Sequence, residues 1–281
     1  MITLTTDLDP VYVAQMKGAM LELNPNATII DISHDVGRFN VRRASFVLMC
    51  AARAFPRNTV HVCVVDPGVG SSRNGLIVDA NLGRFVGPDN GVFTLALEGG
   101  GDRSSYAIQP GLIQQRTNRP ISSTFHGRDI FAPAAARLAS GEEPEKLGPP
   151  AADLVRFTLP RLEIVEGPAV HGEILHQDHF GNLITTLGHL RIEEEDMLLE
   201  PWLPHCAPAR LPRPGLCLLL PNGAQLELKA TYGDVAAGEA LAYVGSDGLL
   251  EIGINQGRAA EALPLKPGQE VILGYQRRTT A

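Results

Sequence analysis

Two glycine-flanked segments contain charged side chains of the types that can activate a water molecule. In the first, an apolar run beginning at His61 leads into Asp66, two glycines and Arg73. In the second, His126 lies in a Thr-Phe-His-Gly-Arg-Asp run that ends where a helix is expected to begin. A carboxylate, a guanidinium and an imidazole can together orient a water molecule and accept its proton, since histidine titrates near neutral pH. This combination favours an enzyme.

Each of these residues also has an ordinary structural interpretation. Asp66 begins an Asp-Pro-Gly turn, Arg73 fits an exposed arginine, and His126 fits a half-buried histidine with satisfied hydrogen bonds. A phosphate-binding loop at residues 68–70 is disfavoured because no Lys-Ser/Thr pair follows it. Asp7 follows a predicted strand, where a carboxylate either accepts hydrogen bonds from a ribose diol or begins the next helix. These alternatives stay open on local sequence alone.

Composition limits the class of protein. The chain has 281 residues, 44% of them hydrophobic, which is enough for one large domain or two smaller ones. A net charge of −7 and the lack of Lys/Arg runs longer than a pair argue against nucleic-acid or membrane partners. No stretch approaches about 18 apolar residues, and the N-terminus lacks the pattern of a signal peptide. With widely spaced cysteines and no CxxC pair, the sequence predicts a cytoplasmic protein without structural zinc.

Alternating strand and helix patterns occupy the first half of the chain. Apolar residues at Val13, Met16 and Met20 have helical spacing, and the continuous apolar run at 59–65 is typical of a strand covered on both faces. Strands are predicted at 2–6, 28–32, 59–65, 75–79 and 92–97, and helices at 11–23, 41–55 and 129–140. The alternation predicts an N-terminal α/β layered domain over residues 1–160.

The second half changes character and predicts a smaller all-β domain, a barrel or a sandwich, over residues 161–281. Strands are expected at 169–175, 183–187, 216–220, 226–230, 241–244, 249–254 and 270–275. Turn sequences such as Pro-Asn-Gly at 221–223 separate them. Between two of these strands, Asp178 and Asn182 either form a turn or recognise amine and amide groups. His176 and His179 add no complete ligand set, so no metal is expected.

Ordered motifs along nearly the whole chain match one family. The most specific are Asp-Pro-Gly-Val-Gly at 66–70 and Thr-Phe-His-Gly-Arg-Asp at 124–129. Further matches are Thr-Thr-Asp at 5–7, Asp-Ile-Ser-His at 31–34, Pro-Asp-Asn-Gly at 88–91 and Phe-Gly-Asn at 180–182. In this order they resemble the S-adenosyl-L-methionine (SAM) hydroxide adenosyltransferases, the adenosine-forming SAM hydrolases related to fluorinase and chlorinase.

The resemblance implies an α/β domain followed by a β domain, and a homotrimer whose SAM sites lie between the N-terminal domain of one subunit and the C-terminal domain of its neighbour. No cofactor is implied. Asp66, Arg73 and His126 match the water-activating triad. The implied substrate contacts are Asp7 for the ribose hydroxyls, Phe39, Phe125 and Tyr232 as aromatic or apolar walls, Asp178 and Ser246 for the methionine amino group, and Asn182 with the backbone around Asn255 and Gln256 for adenine.

The sequence departs from the family pattern after Asp7, where the loop is shortened by about two residues. The related halogenases have Tyr, Thr and Ser where this chain has Asp66, Val69 and Gly127, so hydroxyls that hold a halide are absent. The expected reaction is therefore attack of water on the ribose C5′ of SAM, giving adenosine and L-methionine. A halogenase on the same scaffold and a non-catalytic SAM or adenosine sensor are the alternatives.

Overall fold

The computed structural model describes residues 1–98, 101, 103–165 and 169–275. Contacts within the chain divide it into two units, Met1–Thr158 and Leu159–Ala281. The first unit is α/β and the second is all-β, so the predicted fold class is confirmed. The boundary expected after residue 160 lies close to this division. None of the helices in the described part of the chain is both long and apolar enough to span a membrane.

The first unit is built on a six-stranded sheet within the described residues. Its strands are β1 (Ile2–Thr6), β2 (Ile29–Ser33), β3 (Val60–Val64), β4 (Gly75–Ala80), β5 (Gly83–Pro88) and β6 (Ser104–Ile108). Its helices are α1 (Pro10–Leu23), α2 (Val41–Ala54), α3 (Pro110–Thr117) and α4 (Ala132–Ala139). The strand order is β2-β1-β3-β5-β4-β6. The first four strands in this order pair in parallel, whereas β4 is antiparallel to β5 and β6.

Strands β1 and β3 are buried on both faces, because helices cover the two sides of the sheet. Leu4 and Val62 belong to a core with Met16 of α1 and residues of α4. By the alternation of side chains, Thr3 and His61 point to the opposite face. Helix α2 also contacts β1 and β3. Since β1 and β3 are parallel and end together, with Thr6 paired to Val64, the residues that follow them start from one edge of the sheet.

Several predicted elements of this unit are corrected by the structure. The strand predicted at 92–97 is wrong, because the run contains a short 3-10 helix at Leu95–Leu97. Thr94 Oγ1 donates to the Gly91 carbonyl at 2.6 Å, so the run satisfies its polar groups within a turn. Strand β5 was missed because its glycines suggest a loop, although a Cβ at Gly87 would lie 2.2 Å from a carbonyl oxygen of β3.

The second unit is a barrel-like antiparallel structure. Its strands are β7 (Leu162–Val165), β8 (Ala169–Gln177), β9 (Leu183–Thr185), β10 (Leu190–Ile192), β11 (Asp196–Leu199), β12 (Ala209–Pro212), β13 (Leu216–Leu219), β14 (Gln225–Glu227), β15 (Ala240–Val244), β16 (Leu250–Ile254) and β17 (Glu270–Tyr275), and its helix is α5 (Ala259–Ala262).

The larger sheet of this unit nearly closes on itself. Its order is β14-β13-β17-β8-β9-β16-β15, with β7 added beside β8. A bridge between Leu228 and Ala242 links the end of β14 back to β15. The smaller sheet, β10-β11-β12, was missed because its strands are only three or four residues long. All seven strands predicted for this half are present, with small shifts of their ends.

Candidate active site

Asp66 lies just beyond β3, in a turn that requires glycine at position 70. The Asp66 carbonyl accepts a hydrogen bond from the Val69 amide at 3.3 Å. Gly70 has a φ of +79°, and a Cβ atom there would lie 2.5 Å from the Ser123 carbonyl oxygen. Both the backbone conformation and the space exclude a side chain at this point. The glycine thereby allows the loop after β3 to approach the loop that precedes His126.

His126 stands at the start of one turn of π-helix, Gly127–Phe131, that runs into α4. Such wide turns are rare and often occur at functional sites. Asp129 anchors the turn, because its carboxylate accepts hydrogen bonds from the Ser122 amide at 2.8 Å and from Arg128 Nε at 2.6 Å. The helix predicted to begin at residue 129 therefore begins with this irregular turn, which the alanine-rich sequence does not indicate.

The structure brings the three predicted triad residues into direct contact. Arg73 Nε donates to Asp66 Oδ1 at 2.8 Å, and Arg73 Nη2 donates to Asp66 Oδ2. The same Nη2 group lies 2.9 Å from His126 Nδ1. The side chains of Asp66 and Arg73 are 6% and 10% exposed, and the guanidinium lies 5.3 Å from the centre of the Phe131 ring. The bidentate pair fixes both the carboxylate and the imidazole relative to Arg73.

Arg73 also determines the protonation state of His126. A guanidinium has only donors, so His126 Nδ1 accepts and the ring proton resides on Nε2. Burial and then the charge of Arg73 lower the pKa of His126 from its usual value of 6.5, although the charges of Asp66 and Asp129 oppose this shift. His126 is therefore neutral at neutral pH, with an Nε2–H group available as a donor.

A cavity of about 240 Å³ opens beside this triad. Its lining includes five residues that were selected from the sequence, namely Asp7, Phe39, Asp66, Phe125 and His126. Parallel pairing explains their meeting, since Asp7 and Asp66 follow two adjacent strands that end at the same edge. The first unit alone therefore forms a pocket in which a carboxylate, an imidazole and aromatic rings converge.

Asp7 and Phe39 are joined by a hydrogen bond, in which Asp7 Oδ2 accepts from the Phe39 amide at 2.8 Å. Phe39 has a φ of +60°, unusual for a non-glycine residue, and the residue is 66% exposed. Asp7 is not the residue that precedes α1, because Asp9 occupies that position. Asp7 is thus available to the cavity, and its carboxylate retains an oxygen for a ligand hydroxyl.

Tyr12 and Arg38 are among the lining residues that sequence reasoning did not select. The Tyr12 ring packs edge-on against Phe125 at 5.4 Å between centroids. Tyr12 lies in the first turn of α1, directly after the shortened Asp7 loop, and Arg38 immediately precedes Phe39. Their positions next to predicted site residues are the signal that identifies them, since neither belongs to a chemical motif.

In the second unit, Asp178 and Asn182 form a closed turn between β8 and β9. Asp178 Oδ1 accepts from the Asn182 amide at 2.8 Å, and Asp178 Oδ2 accepts from Asn182 Nδ2 at 2.9 Å. Tyr232, predicted as an apolar wall, also contributes its hydroxyl, which donates to Asn182 Oδ1 at 2.9 Å. Gly181 makes this turn possible with a φ of +90°. Three predicted substrate-binding residues thus share one hydrogen-bonded cluster.

The other predicted residues of the second unit lie outside that cluster. Ser246 is exposed in the turn between β15 and β16. Asn255 follows β16, and its Nδ2 donates to the Val235 carbonyl at 2.8 Å, so its amide nitrogen supports a loop. Gln256 is exposed with a φ of +56°. Among the described residues, no hydrogen bond joins these three to the Asp178–Asn182 turn.

Family comparison matches the two halves of the chain separately. The family described as SAM hydroxide adenosyltransferase N-terminal domain matches residues 2–148. The family described as SAM hydroxide adenosyltransferase C-terminal domain matches residues 172–272. These ranges lie within the α/β unit and the all-β unit respectively.

Individual relatives extend over nearly the full chain. The (R)-S-adenosyl-L-methionine hydrolase of Thermus thermophilus is 39% identical over 95% of both chains, and that of Salinispora tropica is 36% identical over 96% of both. A fluorinase of Actinoplanes sp. is 26% identical over 92% of this chain and 91% of its own. A crystal structure of an uncharacterized conserved protein from Thermotoga maritima has a TM-score of 0.80 at 34% identity, covering 97% of this chain and 99% of that one.

Proposed function

The chain belongs to the SAM hydroxide adenosyltransferase family, and on this premise we propose that it hydrolyses SAM to adenosine and L-methionine. The observation that supports this most directly is the contact of Asp66, Arg73 and His126 beside a cavity that also contains Asp7. Relatives of similar length are named for the same reaction.

Methionine is a good leaving group from SAM, so the difficult part of the reaction is that water is a weak nucleophile. Sulfur in SAM is a sulfonium, so cleavage of the C5′–S bond returns the electron pair to sulfur and releases neutral methionine. Water must attack C5′ in line with that bond and lose a proton as the C5′–O bond forms. A positioned base typically accelerates such a step by about 10²–10⁴-fold. No cofactor is required in this scheme, because neither an electron nor a further group is transferred.

The hydrogen-bond pattern assigns different roles to the triad members. Arg73 occupies His126 Nδ1, and the proton on Nε2 leaves this ring without a free lone pair. Each Asp66 oxygen has a second lone pair beyond its bond to Arg73. In the proposed mechanism Asp66 therefore accepts the proton from water, while His126 Nε2–H donates to the water oxygen and orients it. Arg73 holds both groups in place.

The remaining predicted residues bind the substrate in this proposal. Asp7 accepts hydrogen bonds from the ribose hydroxyls, and Phe39 and Phe125 pack beside the ribose and the sulfonium cation, which aromatic faces favour. Asp178 and Ser246 bind the methionine amino group. The adenine contacts are made by Asn182 and by the backbone around Asn255 and Gln256, with Tyr232 beside them.

Water is favoured over halide by the residues around the attack position. Asp66 presents an anion where a halide would have to bind, and Val69 and Gly127 contribute no hydroxyl. A halide can accept a hydrogen bond from His126 but is repelled by the Asp66 charge, whereas water both donates to Asp66 and accepts from His126. Chloride is therefore expected to leave the product unchanged.

The test is incubation of purified protein with SAM in ¹⁸O-labelled water, followed by chromatography and mass spectrometry. Both sulfonium epimers are supplied, because the relatives' names specify the (R) form. Adenosine labelled at its 5′ oxygen, formed at least 10²-fold more slowly by Asp66→Asn, is the expected result. A 5′-chloro product in added chloride would indicate a halogenase. Tight adenosine binding without turnover, unchanged in Asp66→Ala, would indicate a sensor.

The proposal includes a homotrimer located in the cytoplasm. Light scattering coupled to size-exclusion chromatography measures the first, and cell fractionation the second. Mixing Asp66→Ala and Asp178→Ala subunits tests whether subunits share sites, since mixed oligomers with shared sites recover part of the activity that each variant lacks.

A further inference from the structure

A chain of hydrogen bonds leads from a half-buried carboxyl group to the Asn182 amide. Glu251 on β16 lies 2.5 Å from the Tyr243 hydroxyl on β15. The hydroxyls of Tyr243 and Tyr232 are 2.6 Å apart, and Tyr232 lies 2.9 Å from Asn182 Oδ1. At its other end, Asn182 Nδ2 donates to Asp178. None of these contacts involves the Asp66 triad, and Glu251 belongs to no role considered so far.

These three hydrogen bonds require a protonated, neutral carboxyl group at Glu251. A carbonyl oxygen only accepts, so Tyr232 must donate to Asn182. Tyr232 has a single proton, and the bond between the two hydroxyls must then be donated by Tyr243. Tyr243 has no second proton for Glu251. If Glu251 is protonated, three protons serve three contacts; if it is ionised, two protons serve three contacts, and one contact loses its hydrogen bond.

The surroundings of Glu251 favour the protonated form. Burial raises the pKa of Glu251, and the nearby charges of Asp178 and Asp247 raise it further. The hydrogen bond that Tyr243 can donate to the ionised carboxylate opposes this shift without reversing it. Gly245 lets the carboxyl group pack closely, since a Cβ there would lie 1.9 Å from Glu251 Oε1. Burial and the contact with Glu251 also raise the pKa of Tyr243, so its hydroxyl keeps its proton.

The complete set of hydrogen bonds fixes the orientation of the Asn182 amide. An amide has two N–H donors and two oxygen lone pairs, of which Asp178 and Tyr232 each engage one. One N–H and one lone pair remain outside the contacts of the described residues. This pair is complementary to the adenine edge, where N7 accepts and the N6 amine donates. If the amide rotates, donor and acceptor exchange places and the match is lost.

We propose that Glu251 is a positioning residue for purine recognition, which as a neutral acid supplies the third proton of the Glu251–Tyr243–Tyr232–Asn182 chain. The proposal rests on the function proposed above, because adenine is the base that the fixed amide fits. Glu251 acts through two tyrosines and does not itself touch the substrate.

The direct test measures adenosine affinity by calorimetry against pH. In the wild-type protein, the Kd rises about tenfold as the pH rises through the pKa of Glu251, the effect of one neutral hydrogen bond. Glu251→Gln retains N–H donors at every pH, so its Kd stays at the low-pH value of the wild type. Tyr243→Phe interrupts the chain and weakens binding about tenfold at all pH values. Turnover shows the same change in KM with kcat preserved.

A matched control comes from a second tyrosine–carboxylate pair. Tyr106 donates to Glu145 at 2.5 Å in the first unit, and this pair belongs neither to the cavity nor to the Glu251–Asn182 hydrogen-bond chain. Glu145→Gln is expected to leave the pH dependence of adenosine binding as in the wild type. Identical pH profiles for wild type and Glu251→Gln would overturn the proposal, as would a loss of pH dependence in the control.

A second measurement needs no substrate. The infrared difference spectrum of wild type minus Glu251→Gln at neutral pH should contain the C=O band of a neutral carboxylic acid. A carboxylate band instead would overturn the inference even if SAM is hydrolysed. A neutral acid in a protein that neither binds adenosine nor hydrolyses SAM would mean that the proposed function has failed, and purine positioning with it.

Discussion

Replacement of Arg73 by glutamine is the perturbation that best separates the roles of the triad. The substitution removes a bidentate contact to Asp66 and the donor to His126 Nδ1. A hydrogen bond to a charged group contributes about 1.5–3 kcal/mol. Loss of the two contacts to Asp66 therefore amounts to about 3–6 kcal/mol, which corresponds to a roughly 10²–10⁴-fold fall in kcat/KM.

The same variant should move the acidic limb of the pH profile. Activity requires neutral His126, because a protonated ring would place an N–H against the Arg73 donor. Activity is therefore lost as the pH falls through the pKa of His126, which burial and Arg73 hold below 6.5. Without the Arg73 charge, Asp66 and Asp129 remain to raise that pKa. The limb consequently moves to higher pH in Arg73→Gln.

Arg73→Lys serves as the matched control, because it keeps the charge but reaches a single carboxylate oxygen. Its rate should fall less than that of Arg73→Gln, and its acidic limb should stay near that of the wild type. The assay is kcat/KM for SAM from pH 5 to 9, together with an NMR titration of His126. An acidic limb that is unmoved or lower in Arg73→Gln would refute the electrostatic role assigned to Arg73.

Three further outcomes follow from other parts of the molecule. Gly70→Ala should abolish activity and lower the free energy of unfolding by about 1–3 kcal/mol. Gly223→Ala, at a position with a similar φ of +82° and open space around it, should lower the free energy of unfolding less and preserve activity. Similar behaviour of the two variants in urea unfolding and turnover would contradict this. Burial lowers the pKa of His61 from 6.5 to about 4, so between these pH values the unfolded chain binds a proton that the folded chain does not. The free energy of unfolding should therefore fall by roughly 3 kcal/mol as the pH drops through this interval. An equal loss in His61→Gln, which does not titrate, would exclude this cause. Asp7→Asn should raise KM for SAM about 10–100-fold by weakening charged hydrogen bonds to the ribose, and an equal effect on a 2′,3′-dideoxyribose analogue would rule out a diol contact.

Local patterns were sufficient for the main architecture. The apolar run at β3 predicted a strand covered on both faces, and Val60, Val62 and Val64 are indeed buried with Cys63 opposite. Seven strands of the second half were predictable because turn sequences mark their ends. The predicted strand at 92–97 failed because a short apolar run is equally suited to a buried turn, and only the position of its polar partners decides between them.

The candidate site was partly predictable for a similar reason. Asp7 and Asp66 could be selected because each follows a strand, and parallel strands bring such residues to a common edge. The sequence contained no comparable signal for Glu251, since a glutamate within a β-strand is ordinarily a solvated residue. Its importance appears only when Tyr243 and Tyr232 are seen to connect it to Asn182.

What the sequence by itself determined was most of the elements and the chemical types at their ends, because periodicity, glycines and turn residues act over a few neighbouring positions. Tertiary structure alone decided that Arg73 bonds both Asp66 and His126, and which ring nitrogen of His126 keeps its proton. Those properties depend on the distance between residues 53 positions apart and on the loss of water around them. Neither distance nor burial is encoded in a local pattern, so charge and proton positions emerge only when the chain has folded.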